Sequence, residues 1–333
     1  MDLKNLPKSG LNLLSASSWR LPNFIICGGM KCGTTSLHWI LNQHPQIFIS
    51  EIEPHFFTID DIEQNPEFFL KTKKEWPSWN FEENFQEYIP WYANFFNRAQ
   101  ENQLIGEDCV SYLSSTKAAE RIVALIPDVK LIFMLRDPVA RTYSQYWHWV
   151  KTNRAIYSFE DTLQFSPGHL IQRSFYRQHL ETYFSFVSRE QIKIIIFEEF
   201  VSNVQKTVNE VCDFLGLKES LDVSQTDTHI NKALVPRNLK LQLLFNSILK
   251  TNISGRKYMS HHLPNSNPEN YPYRLSLMNR WFQQVNLTSK KEYPPMKVET
   301  RQFLEGLFFT KNKGLSDLIG ICLGQFWPCM QKD

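Results

Sequence analysis

The sequence predicts an α/β fold, a three-layer sandwich with helices on either side of a central parallel sheet. Two observations carry that expectation. Apolar runs at 24–27, 130–135 and 191–197 have strand length and lack polar alternation, as strands buried on both faces do. The first two of these runs are each followed at once by a turn and the start of a helical pattern, the order that builds parallel sheets.

The first of these units organises the chain. Phe24-Ile25-Ile26-Cys27 reads as the buried strand, residues 28–33 as a glycine turn, and Thr34-Thr35-Ser36 as the mouth of a helix carrying Leu37, Ile40 and Leu41. Such a turn aims backbone N–H groups, here those of Gly29, Lys31, Cys32 and Gly33, at an anion. Lys31 adds a point charge, and the hydroxyls of Thr34, Thr35 and Ser36 add donors. Gly28 and Gly33 have the spacing of the P-loop GxxxxGK[ST], so the turn is P-loop-like, but Thr34 stands where the lysine belongs. A lysine at the middle of the loop suits a donor shorter than a nucleoside triphosphate, with its transferable group at the 5′ position. A strand-turn-helix that holds no ligand is the structural alternative.

A second anion corner follows about a hundred residues later. The run 130–135 ends in Arg136, and Asp137-Pro138 starts a helix with Asp as N-cap and Pro at the first position. Arg141 and Ser144 lie three apart on that helix and so share a face. Two guanidiniums, a hydroxyl and a helix N-terminus converge there. Arg141 is also open to a structural pairing, for instance with Asp137.

The two stretches together resemble the PAPS-dependent sulfotransferases (PAPS is 3′-phosphoadenosine 5′-phosphosulfate). The turn resembles their 5′-phosphosulfate loop. Arg136, Asp137, Pro138, Arg141 and Ser144 match their Arg-Asp-Pro-x-x-Arg-x-x-Ser 3′-phosphate site. The resemblance implies PAPS as donor and its bisphosphate, PAP, as product. It implies Gly29, Lys31, Cys32, Gly33, Thr34, Thr35 and Ser36 around the 5′ end, Arg136 and Ser144 at the 3′-phosphate, and no metal. A basic loop closes over the nucleotide in the family, and Lys232 and Arg237 are the candidates here, without the family's Lys-Gly-Arg order.

On the acceptor side, Pro54 forces Glu53 toward extended backbone at a strand end or sheet-edge loop. Glu53 and His55 form an acid–base pair in one reading, a solvated acid and a packed histidine in the other. Glu-x-His-Phe-Phe resembles a stretch of glucosaminyl 3-O-sulfotransferases whose glutamate is the base. That implies Glu53 as base with His55 as neighbour, or His55 itself, and Glu51 as competitor. Residues 104–112 resemble the family's Gly-Glu-Lys/x-Ser/Thr-Pro-x-Tyr, but Asp108 replaces the acceptor-contacting lysine of the heparan enzymes and Val110 replaces proline. Between Glu51 and Pro90 ten acids face three bases, a surface that repels a polyanionic glycan. The acceptor is therefore expected to be a neutral or cationic small molecule.

The rest of the chain is framework. Residues 1–20 read as a loose leader, and 21–330 as one domain with insertions at 58–103 and 251–294. The first insertion is packed by its own aromatics or forms an acceptor lid. The second reads as a long Pro/Asn-rich loop. His148 reads as a satisfied histidine, and Tyr176 as packing.

Composition narrows the partners. A net charge of +2 argues against nucleic acid. The absence of a long N-terminal apolar run argues against a membrane anchor, and six cysteines without CxxC spacing fit a reducing cytoplasmic setting. A glycan O-sulfotransferase, a P-loop kinase and a regulatory nucleotide-binding module are the competing functions.

Overall fold

The computed structural model describes residues 19–69, 76–219, 221–225, 234–249, 263–264, 273–288 and 292–331. β1 (Phe24–Ile26) runs through the glycine turn into α1 (Thr34–Leu41), and β2 (Ile47–Ile49) follows. Two 3-10 turns and α2 (Phe85–Asn94) precede β3 (Leu104–Asp108) and α3 (Ala118–Leu125). β4 (Lys130–Leu135) feeds α4 (Pro138–Lys151). Then come α5 (Phe159–Phe165), α6 (Gly168–Ile171), α7 (Tyr176–Phe186), β5 (Ile192–Ile196), α8 (Phe197–Ser202) and α9 (Val204–Leu215). The C-terminal part holds β6 (Val235–Pro236), α10 (Leu239–Leu249), α11 (Tyr273–Asn286), β7 (Leu287–Thr288), α12 (Val298–Asn312) and α13 (Leu315–Ile319).

The five strands β2-β3-β1-β4-β5 form one parallel sheet, with β1 at its centre. Side chains of β1 alternate between two cores. Phe24 and Ile26 pack with Leu37, Ile132 and Val208, whereas Ile25 and Cys27 pack with Phe133, Tyr112 and Tyr183. The expected three-layer α/β sandwich is therefore the observed one. Being parallel, all strands deliver their C-terminal ends to one edge, where α/β sheets bind ligands. Among the described residues no helix is long and apolar enough to cross a membrane.

Two expectations change, and the packed reading of the first insertion holds. β3 was not evident as a strand, because Gly106, Glu107 and Asp108 break its apolar run. Gly106 is required there: a Cβ would lie 2.4 Å from the Phe24 ring. The stretch 251–294 is not one long loop, since α11 occupies 273–286 and β7 pairs antiparallel with β6. The insertion 58–103 contains α2 and packs much of its aromatic content inward: Phe56 stacks on Tyr92 at 4.1 Å, with Phe81 and Phe96 buried around them.

Its acids are also partly engaged at home. Arg121 of α3, buried beside the Phe81 ring, donates to Asp60 at 2.6 Å and to Glu82 at 2.7 Å. Arg154 holds Glu67 at 3.1 Å. Removing one partner from a buried ion pair leaves an uncompensated charge. Arg121→Ala is therefore expected to lower stability by about 3 kcal/mol, read as a lower denaturation midpoint in urea.

Candidate functional site

The glycine turn is stitched to the sheet. The N–H of Gly29 donates to the Met134 carbonyl at 2.7 Å, and Met134 N–H to the Gly28 carbonyl at 2.7 Å. This extends the β1–β4 ladder beyond β1. Gly28 and Gly33 both have positive φ, which glycine adopts freely. A Cβ on Gly33 would meet the Phe197 ring at 2.8 Å. Lys31 sits in the left-handed region too, at φ 66°, without being glycine, a strain typical of ligand-gripping loops. Thr34 is buried at the start of α1, Thr35 is exposed and Ser36 half-buried, so their backbone N–H groups crown one helix end.

Arg136 leaves β4 beside this loop. Its guanidinium donates to the Lys31 carbonyl at 3.1 Å and lies 4.6 Å above the Phe197 ring. The Arg136 carbonyl accepts from the Tyr176 hydroxyl at 2.9 Å, which makes Tyr176 a packed buttress, as expected. Asp137 caps α4 by accepting from Ala140 N–H at 2.7 Å. Burial pushes the Asp137 carboxyl up to about 6.

Ser144 is buried two turns further along the helix, beside Tyr293. The two corners read from sequence are thus brought together. Lys31 is pulled down to about 8, first by burial and then by the charges of Lys151 and Arg136, so it carries a labile proton in a basic recess. His148 is held down to about 3, mainly by burial and also by Lys31, and is neutral.

Arg141 is a structural residue. Fully buried, it is bonded to Ser174, Gln145 and the Leu170 carbonyl rather than to the Asp137 side chain. Arg237 lies exposed just after β6, with its N–H on the Asn286 carbonyl at 2.7 Å. Lys232 falls outside the described residues. Tyr293, stacked on Trp147 beside Ser144, was missed because the Pro/Asn-rich stretch around it carries no period. Arg173 was missed as well. Buried, it donates to Met30 of the turn and to the Gln64 carbonyl, and its Nε has no partner.

Glu53 follows edge strand β2 and reaches toward β3, where Val110 N–H donates to its Oε2 at 3.4 Å. Its carboxyl is pushed up to about 8 by burial, with the neighbouring Asp108 charge second. His55 Nε2 lies 3.9 Å from Glu53 Oε2. Glu51 is exposed. Asp108 is 3 % exposed, with Oδ2 at 3.5 Å from His38 and Oδ1 without a partner. Glu107 is buried and held by the hydroxyls of Tyr92 and Tyr112, both at 2.5 Å.

Among the described residues, Glu53, His55 and Cys109 lie close enough together for a metal ion. Burial holds the Cys109 thiol well above its usual value.

With the geometry in place, the class is an α/β protein with two joined basic corners at the strand ends, beside a half-buried carboxyl. The chain belongs to the sulfotransferase family, whose model matches residues 22–220. It is 31% identical over 225 residues to mouse heparan sulfate glucosamine 3-O-sulfotransferase 3A1, covering 65% of this chain and 50% of that protein. It is 25% identical over 314 residues to mouse bifunctional heparan sulfate N-deacetylase/N-sulfotransferase 4, covering 90% of this chain and 30% of that one. The chain thus spans about half the length of the first of these and less of the second. A solved sulfotransferase from Alicyclobacillus acidocaldarius superposes with a TM-score of 0.51 at 28% identity, covering 73% of this chain and 98% of that one.

The site's cysteines yield a direct check. Cys27, Cys32, Cys109, Cys212 and Cys329 are buried and Cys322 is exposed. Burial raises the thiols of Cys27, Cys32 and Cys109, which removes thiolate character. A thiol reagent is expected to label Cys322 alone in the native protein and the other five only after unfolding. Fast labelling of Cys32 would contradict the buried loop.

Proposed function

We propose that the protein transfers a sulfuryl group from PAPS to a hydroxyl or amine, releasing PAP. The observation that carries this reading is the bond between Arg136 and the Lys31 carbonyl, which sets the two anion cradles side by side. In this reading Lys31 and the Gly33 N–H stabilise charge building on the bridging oxygen, whereas the expected N–H groups of Gly29 and Cys32 are already taken by the carbonyls of Met134 and Gly29 and shape the loop instead. Thr34, Thr35 and Ser36 hold the 5′-phosphate. Arg136 and Ser144 hold the 3′-phosphate and fix the donor's register. Glu53 takes the acceptor proton, and its raised value suits a base working near neutrality. Family membership and the arginine, rather than an acid, after β4 both count against a kinase.

For the acceptor we propose a neutral or cationic small molecule. Asp108 supports this, since its unpartnered buried oxygen sits beside Glu53 and places negative charge where a polyanion would have to approach. The names of the curated relatives favour a heparan-type glycan instead. Sulfation assays with heparan-type chains against small amino alcohols discriminate, and efficient turnover of the chains would remove the small-molecule reading.

Three further outcomes are expected. PAP at about 100 times its dissociation constant should stabilise the protein by roughly 2.7 kcal/mol in thermal melts. Glu53→Gln should keep PAP affinity while kcat falls on the order of 10²–10⁴-fold. The pH profile of kcat/KM should be narrow. It rises as Glu53, in the field of Asp108, Glu107 and Arg173, loses its proton near 8, and falls as Lys31, in the field of Lys151 and Arg136, loses its own near 8. Lys31→Arg, which stays charged, should remove the alkaline fall.

A further inference from the structure

Behind Glu53 runs a buried chain of polar side chains that neither cradle uses. His55 Nδ1 lies 3.0 Å from Ser111 Oγ, Ser111 Oγ 2.9 Å from Thr58 Oγ1, and Thr58 Oγ1 3.0 Å from Asn65 Nδ2. All four residues are buried, at 8, 1, 0 and 2 % exposure, so no solvent competes for these contacts.

The direction of the chain is set at its far end. Asn65 Nδ2 also lies 2.8 Å from the Thr58 carbonyl, which can only accept. The amide therefore faces Thr58 with its NH2 group and donates to Thr58 Oγ1. The Thr58 proton has two acceptors, Ser111 Oγ at 2.9 Å and the His55 carbonyl at 3.4 Å, and the shorter contact takes it. Ser111 then has its own proton to give. Its choices are His55 Nδ1 at 3.0 Å and the Cys109 sulfur at 3.2 Å, and sulfur is the weak acceptor.

We propose that this Asn65–Thr58–Ser111 relay fixes His55 as the neutral tautomer with its proton on Nε2, so that His55 turns an N–H dipole toward Glu53 across 3.9 Å and Glu53 alone is the base. The Nδ1 lone pair is occupied by Ser111, and Nε2 is the nitrogen nearest Glu53, at 3.9 Å from Oε2. A histidine so arranged has no free lone pair with which to accept the acceptor's proton. Its Nε2–H instead favours the ionised carboxylate, opposing Asp108 and Glu107 of β3, which with burial favour the neutral one, and acting with Arg173. The ring is also held by the edge-on Phe68, 5.6 Å away at 84°. Asn65, Thr58 and Ser111 are positioning residues. This inference rests on the reading of Glu53 as base.

The test uses Thr58→Val, which keeps shape and removes the relay, beside Thr58→Ser, which keeps the hydroxyl. The first readout is the NMR shifts of the His55 ring nitrogens in the unliganded protein, which report the tautomer without any turnover. The wild type and Thr58→Ser should show Nε2–H, and Thr58→Val a mixture of tautomers. The second readout is kinetic. Thr58→Val should lower kcat by about tenfold or more with KM for the donor little changed, and should move the acid limb of the pH profile upward. Thr58→Ser should restore both.

A wild-type His55 carrying its proton on Nδ1, or a Thr58→Val protein with unchanged tautomer and kcat, overturns the relay. A correct tautomer in a protein that sulfates nothing and does not bind PAP overturns instead the reading of the site. Circular dichroism of Thr58→Val separates either result from misfolding. If that variant does not fold, Ser111→Ala carries the same comparison.

Discussion

The site depends on one backbone splice. Gly28, Gly29 and Met134 exchange hydrogen bonds beyond the end of β1, so the glycine turn is laid along β4 instead of standing free above the sheet. Arg136 emerges two residues later and closes onto the carbonyl of Lys31. Each cradle is therefore part of the other's scaffold. Phe197 lies under both, beneath the Arg136 guanidinium and against the face of Gly33. Anything that displaces β4 by a fraction of an ångström disturbs both corners at once.

The neighbouring strand is built on a different principle. Where the turn and β4 gather cations, β3 gathers carboxyls: Glu107 satisfied by two tyrosines, Asp108 with one oxygen unpartnered, and Glu53 leaning in from the sheet edge. Carboxyls so close in a buried place raise one another's proton affinity. The insertion between β2 and β3 supplies this arrangement. Tyr92 comes from α2, and Asn65 and Thr58 from the turns before it. The aromatics that suggested a lid are mostly the packing that holds these polar groups in position.

Much of this was legible in the sequence, for physical reasons that differ by element. β1, β4 and β5 were readable because strands buried on both faces carry unbroken apolar runs. α9 ends at Gly216, whose φ of 82° glycine adopts most readily. Lys31, Arg136 and Ser144 announced themselves by residue type at turn and helix positions. β3 was hidden because its polar residues are buried and paid for by partners from distant sequence, which no local pattern displays. Arg141 carried the right spacing for a ligand, yet its neighbours Ser174 and Leu170 come from a segment some thirty residues away. The polarity of the relay behind His55 was beyond reach, since it depends on which way one amide faces.

Tyr293 ties the far end of the chain to α4. Its ring is stacked on Trp147 and edge-on to Tyr143, whose hydroxyl donates to the Pro294 carbonyl at 2.7 Å. A shift of this late segment is therefore felt directly by the helix that carries Ser144, so the two ends of the sequence answer to one another mechanically.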